Sequence, residues 1–103
     1  MTMNNHSKDE NPSRLSVLRK EAGSWLKKRR CELGISQREL ACRVNMEYYT
    51  FISQIEAGRG RVPSERLQVW AEALEVDTRE FAIRLMKYYD PHSYELIFDQ
   101  DPQ

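Results

Sequence analysis

Apolar side chains recur three, four or seven residues apart along most of this chain, and that spacing limits what it can fold into. In "SRLSVLRKEAGSWLKKRRCEL" they fall at Leu15, Leu18, Ala22, Leu26 and Leu33, one face of an α-helix that Gly34 ends. Gly23, inside the run, is where this helix is most open to interruption. "SQRELACRV" opens on Ser36 with Glu39 three residues later, a capping box, and turns Leu40, Ala41 and Val44 inward as a short second helix. After "GRGRVP", Ser64 can cap "ERLQVWAEALEV", which buries Leu67, Trp70, Ala71 and Leu74. "DTREFAIRLMKYY" then repeats the capping box with Asp77 and Glu80 and buries Phe81, Leu85 and either Tyr88 or Met86.

The segment between the second and fourth helices, "NMEYYTFISQIEAGRGR", has a different character. At about 100° per residue, Tyr48, Phe51, Ile52 and Ile55 gather on one side, and Met46, Thr50, Ser53 and Ala57 gather opposite, flanked by Tyr49 and Gln54. A solvent-facing helix usually carries long charged residues. This outer face is small, polar and nearly uncharged, as suits a helix that approaches another surface closely. Gly58 stops the helix, and Arg59 and Arg61 follow.

The expected fold is therefore all-α, five helices with short links. At 103 residues the chain has room for one domain with one modest core. Residues 1–12 are polar and aperiodic and are expected to be a disordered tail. The helical unit covers 13–89, and 90–103 forms a C-terminal extension whose apolar patch, Leu96 to Phe98, reads as a small strand or as a packing or dimerisation arm.

The net charge is zero, but it is unevenly distributed. Ser13 to Arg61 holds 11 Lys/Arg against 5 Asp/Glu, whereas Val62 to Gln103 holds 4 against 9. A basic half can attract phosphate locally while an acidic half limits nonspecific adhesion.

Other function classes find little support. No apolar run approaches the roughly 18 residues of a membrane span, and "MTMNNHSKDENPS" has no apolar core for a signal peptide, so a cytoplasmic protein is expected. Cys31 and Cys42 lie in separate helices without CxxC spacing and are expected to be reduced and structural. His6 and His92 have no clustered cysteines or carboxylates, so no metal, cofactor or small-molecule ligand is implied. "SER" and "SQRE" read as helix starts rather than nucleophile motifs, and the chain is not expected to be an enzyme. Trp25 and Trp70, at helical spacing, read as core residues.

"LGISQRELACRV", "ISQIEAGRGRVPS" and "LQVWAEALEVDTREF", in that order, resemble the Cro/lambda-repressor-like helix-turn-helix family, also called Xre, over about Leu26 to Leu85. The resemblance implies a sequence-specific DNA-binding transcriptional regulator, a repressor by expectation. Helix two, from Ser36 to about Arg43, would cross the DNA backbone, and helix three, from about Tyr48 to Ala57, would enter the major groove of double-stranded DNA. Tyr49, Thr50, Ser53 and Gln54 would face base edges, Gln54 pairing with adenine and Thr50 meeting a thymine methyl or offering its hydroxyl. Gln37, Tyr48, Arg59 and Arg61 would contact phosphate. Arg30 and Glu56 match positions where related domains place a buried ion pair between helices one and three. Between Val44 and Gly58 the chain is one residue longer than the commonest family spacing, which would reshape the turn "NME" and displace contacts by one position. Glu47 would repel phosphate unless it caps the start of helix three. Because one such unit reads one half-site, a homodimer on half-sites about 10 base pairs apart is expected, with helix five and the tail from Tyr88 to Phe98 as its dimer surface; the alternative is burial of that tail within its own subunit. Two alternatives share the fold: the antitoxin of a toxin–antitoxin pair, and an adaptor whose third helix binds protein.

Overall fold

The computed structural model describes residues 12–98, so His6 and nearly all of the proposed 1–12 tail lie outside the described residues. The described chain forms six helices: α1 (Pro12–Glu32), α2 (Gln37–Arg43), α3 (Thr50–Glu56), α4 (Leu67–Ala73, entered through a 3-10 turn at Ser64–Arg66), α5 (Thr78–Tyr89) and α6 (Pro91–Phe98). No strand occurs among the described residues.

The sixth helix corrects the sequence expectation. Leu96 to Phe98 lie not in a strand but in α6, a helix that packs against α5. Its start follows from local chemistry. Asp90 ends α5 and caps the next helix, its Oδ1 accepting the Ser93 amide at 3.2 Å, while Pro91 takes the first helical position, where its missing N–H is not needed. Hydrogen bonding to Ser93, through its side chain first and its backbone amide second, holds the Asp90 carboxyl below its ordinary pKa.

Ser36 caps α2 as expected, its hydroxyl accepting the Glu39 amide at 3.0 Å, and Asp77 caps α5 in the same way at 3.1 Å. Ser64 does not cap α4: it opens the 3-10 turn, and the cap position of α4 belongs to Arg66, without a side-chain cap hydrogen bond. Cys31 and Cys42 are free thiols, but both are exposed, so neither is a core residue.

Four helices end alike. Gly34, Asn45, Gly58 and Glu75 adopt positive φ, and the next amide in each case, at Ile35, Met46, Arg59 and Val76, reaches back to the carbonyl five residues earlier. This is the Schellman ending, which usually places an apolar side chain at the returning residue. Ile35 is buried, and Met46 and Val76 pack partly against the core. Arg59 breaks that pattern: it is exposed, and its side chain has no hydrogen-bond or ion-pair partner among the described residues.

The core is closed by Leu26, Leu40, Val44, Ile52, Val62, Trp70, Leu74, Phe81 and Leu85, all fully buried. Tyr89 is the buried aromatic at the end of α5, where Tyr88 or Met86 was expected, and these two are only half-buried. Trp25 is half-buried, its ring 5.8 Å from that of Phe81, with the Arg84 guanidinium 4.6 Å above it. α1 packs on both α5 and α3, and α2 fits between α3 and α4. At Gly23 the crossing of α1 and α3 is so close that a Cβ would lie 2.2 Å from the Glu56 carbonyl oxygen. The glycine therefore does not break the helix, and its missing side chain is what lets α3 seat on α1.

Candidate functional site

α3 is held from behind by a buried polar network. Arg30 on α1 donates from Nε to Glu56 Oε2 at 2.7 Å and from Nη2 to Oε1 at 3.1 Å, and its Nη1 reaches the Ile35 carbonyl at 2.9 Å. The two side chains are only 9% and 3% exposed. The Glu56 hydrogen bonds raise the Arg30 pKa above its ordinary value, and burial opposes that shift. Gln37, the first residue of α2, donates from Nε2 to Glu56 Oε1 at 3.0 Å. A single carboxylate thus fixes α1, α2 and α3 relative to one another. The family resemblance implies a phosphate contact for Gln37, and its amide retains one further N–H for such a role.

The face that α3 presents outward differs from the one periodicity gives. Ile52, Ile55 and Glu56 are its buried residues. Tyr48 and Phe51, expected to face the core, are exposed, while Met46, expected to face outward, packs partly against the core. The reason lies in the turn. Asn45, in the left-handed region, ends α2, and α3 begins only at Thr50, so helical spacing does not hold from Met46 to Tyr49. Met46 instead occupies the apolar slot of the Schellman ending, its amide bonded to the Ala41 carbonyl at 2.8 Å.

On the helix proper, Thr50 and Gln54 lie opposite the buried side and are exposed, Ser53 is half-buried on one flank, and Phe51 is exposed on the other. Tyr49 occupies the cap position without a side-chain cap bond, and its ring lies 4.3 Å from the Arg38 guanidinium of α2. Tyr49 therefore ties the starts of α2 and α3 together while remaining 39% exposed. Glu47 is exposed in the turn. The Tyr48 and Phe51 rings stand 6.2 Å apart, forming an aromatic ledge beside Thr50 and Gln54 that sequence reasoning missed.

Beyond Gly58 the two loop arginines differ. Arg59 stands exposed immediately after α3. Arg61 is exposed too, but its guanidinium lies 4.5 Å over the ring of Tyr89, whose hydroxyl accepts the Val62 amide at 3.3 Å and whose pKa is raised chiefly by burial. Other cations of the basic half serve the fold. Arg29 donates to the carbonyls of Leu74 and Glu75 at 2.8 and 3.1 Å, and Arg43 donates to that of Ala73 at 3.2 Å, satisfying the end of α4. From the acidic half, Arg66 closes α2 in the same way through the Val44 carbonyl.

Among the described residues, no group of three or more His, Cys, Asp or Glu is arranged to hold a metal, and no helix is long and apolar enough to cross a membrane. The exposed face of α3 and the arginine after it form a ridge of hydrogen-bonding groups ending in a cation, with the Arg30–Glu56–Gln37 network behind it. In comparisons with known proteins, the family model described as Helix-turn-helix matches residues 26–81. No curated protein and no solved structure matches the chain.

Proposed function

The chain belongs to the Xre, lambda-repressor-like helix-turn-helix family, a DNA-binding and non-enzymatic domain type, and from that membership we propose that it is a sequence-specific transcriptional regulator, most simply a repressor. The observation that carries this reading is α3 itself: Thr50 and Gln54 exposed on a helix whose opposite side is locked to α1 and α2 through Glu56. In this reading α3 enters the major groove, α2 crosses the backbone, and Tyr49, Thr50, Ser53 and Gln54 face base edges. Gln54 suits bidentate pairing with adenine N6 and N7, and Thr50 suits a hydroxyl contact or a thymine methyl. Gln37, Tyr48, Arg59 and Arg61 face phosphate, Arg59 with the most freedom to do so.

One unit spans one half-site, and the protein acts as a homodimer on a two-fold operator. The support is α6, where Leu96 and Ile97 are 69% and 61% exposed on a helix otherwise docked against α5. An exposed apolar cluster of that kind is commonly buried in a partner. Action as a cytoplasmic protein follows from the same reading.

Fluorescence anisotropy of the full chain against the DNA upstream of its own gene and against scrambled DNA, across a salt series, tests this. The upstream DNA is expected to bind at least ~10³-fold more tightly. Gln54→Ala should erode that preference, and Arg59→Ala should reduce the salt slope by about one. Weak, equal binding to both DNAs would overturn the regulator reading and favour a protein adaptor.

A further inference from the structure

We propose that Phe51 reads thymine methyl groups and is a specificity-determining residue of the α3 face, an assignment that rests on the DNA-binding reading above. Phe51 is the second residue of α3 and is 48% exposed, although the core beneath the helix is already closed by Ile52 and Ile55. Its ring lies about 60° round the helix from Gln54, on the flank of the face that carries Thr50. The Tyr48 ring, 6.2 Å away and tilted by 57°, stands against one side of it. A phenyl ring can neither donate nor accept a conventional hydrogen bond, so it gains nothing from phosphate or from the polar edges of bases. In the major groove the one apolar feature a base pair presents is the C5-methyl of thymine. A phenyl group held near the start of the helix, beside a glutamine suited to adenine, fits a T·A-containing half-site. The polar surroundings match: the ledge adjoins Thr50 and Gln54, with the cations Arg38 and Arg59 at the ends of α2 and α3, and is separate in the chain from the apolar cluster on α6.

The experiment starts from duplexes selected by the full-length protein out of a random pool. Each thymine of the preferred sequence is then replaced by deoxyuridine, one at a time, which removes the methyl and leaves every hydrogen bond unchanged. One or two positions are expected to weaken binding by about fourfold each, the worth of one buried methyl-sized group. Phe51→Ala should weaken binding to a similar extent and be insensitive to deoxyuridine at those same positions. Gln54→Ala should keep the deoxyuridine sensitivity. Because Phe51 is exposed, the thermal midpoint of Phe51→Ala is expected to stay at that of the wild type. Deoxyuridine substitutions without effect at every position, or with equal effect on the wild type and Phe51→Ala, would overturn the assignment while leaving DNA reading by α3 intact. A pool that yields no preferred sequence would overturn both, and the aromatic ledge would then be a protein contact.

Discussion

Glu56 offers the sharpest test of how α3 is held. Replacing it with glutamine keeps the shape and removes the charge. The wild-type carboxylate accepts three hydrogen bonds, two from Arg30 and one from Gln37, at 2.7 to 3.1 Å. In Glu56→Gln, an amide N–H₂ faces the guanidinium, so at least one Arg30 N–H loses its partner, and the Arg30 charge, 9% exposed, is left with the Ile35 carbonyl and one neutral amide oxygen. Hydrogen bonds to charged groups contribute about 1.5–3 kcal/mol each, and breaking a buried pair costs about 3–5 kcal/mol. Because glutamine retains one acceptor oxygen, the expected loss is near the lower end, about 3 kcal/mol. For a domain of this size that lowers the thermal midpoint by roughly 12–24 °C. Urea denaturation followed by circular dichroism gives the free energy directly, and the double variant Arg30→Met/Glu56→Leu completes the comparison. It should lose less than the two single changes summed, since no charge is stranded. A Glu56→Gln variant within about 0.5 kcal/mol of the wild type, the range of ordinary surface changes, would refute the claim that this network holds the helices together.

Two further outcomes follow from the packing and the caps. Gly23→Ala should destabilise by about 1–3 kcal/mol in the same urea assay despite alanine's better helix propensity, because the new methyl would lie 2.2 Å from the Glu56 carbonyl oxygen; a stabilised variant would mean that α1 and α3 do not meet there. The Asp90 pKa is lowered, mainly by its hydrogen bonding to Ser93, so its cap supports α6 above the carboxyl's ordinary value and is lost as pH falls through the lower folded one; an NMR titration should show the Ser93 amide losing its bond in that acidic window, and an amide unchanged there would contradict the cap.

Local devices were legible in the sequence because each is a short-range bargain between a side chain and a nearby amide. Ser36 with Glu39 and Asp77 with Glu80 could be read as helix starts, and the helical spacing around Leu40, Trp70 and Phe81 identified core residues. The same logic applies at "DPHSY", where aspartate before proline marks a helix start, although the apolar run after it reads equally as a strand. What failed was periodicity carried across a turn. Met46, Tyr48 and Phe51 were placed as though Asn45 to Gly58 were one helix, yet the left-handed Asn45 resets the phase before Thr50. The segregated charge also overstated the cations free for phosphate, since Arg29, Arg30 and Arg43 are bonded to carbonyls or to Glu56. Apart from Ile35, those partners are 26 to 46 residues away along the chain, beyond the reach of local pattern.

The central claim is that the outward face of α3 meets DNA, and amide chemical-shift mapping on titration with a selected duplex tests it most directly. The account predicts perturbations centred on Thr50, Phe51, Gln54 and Arg59, with Ile52 and Ile55 shielded behind them. Perturbations centred on α6, or no saturable change with any selected duplex, would contradict it.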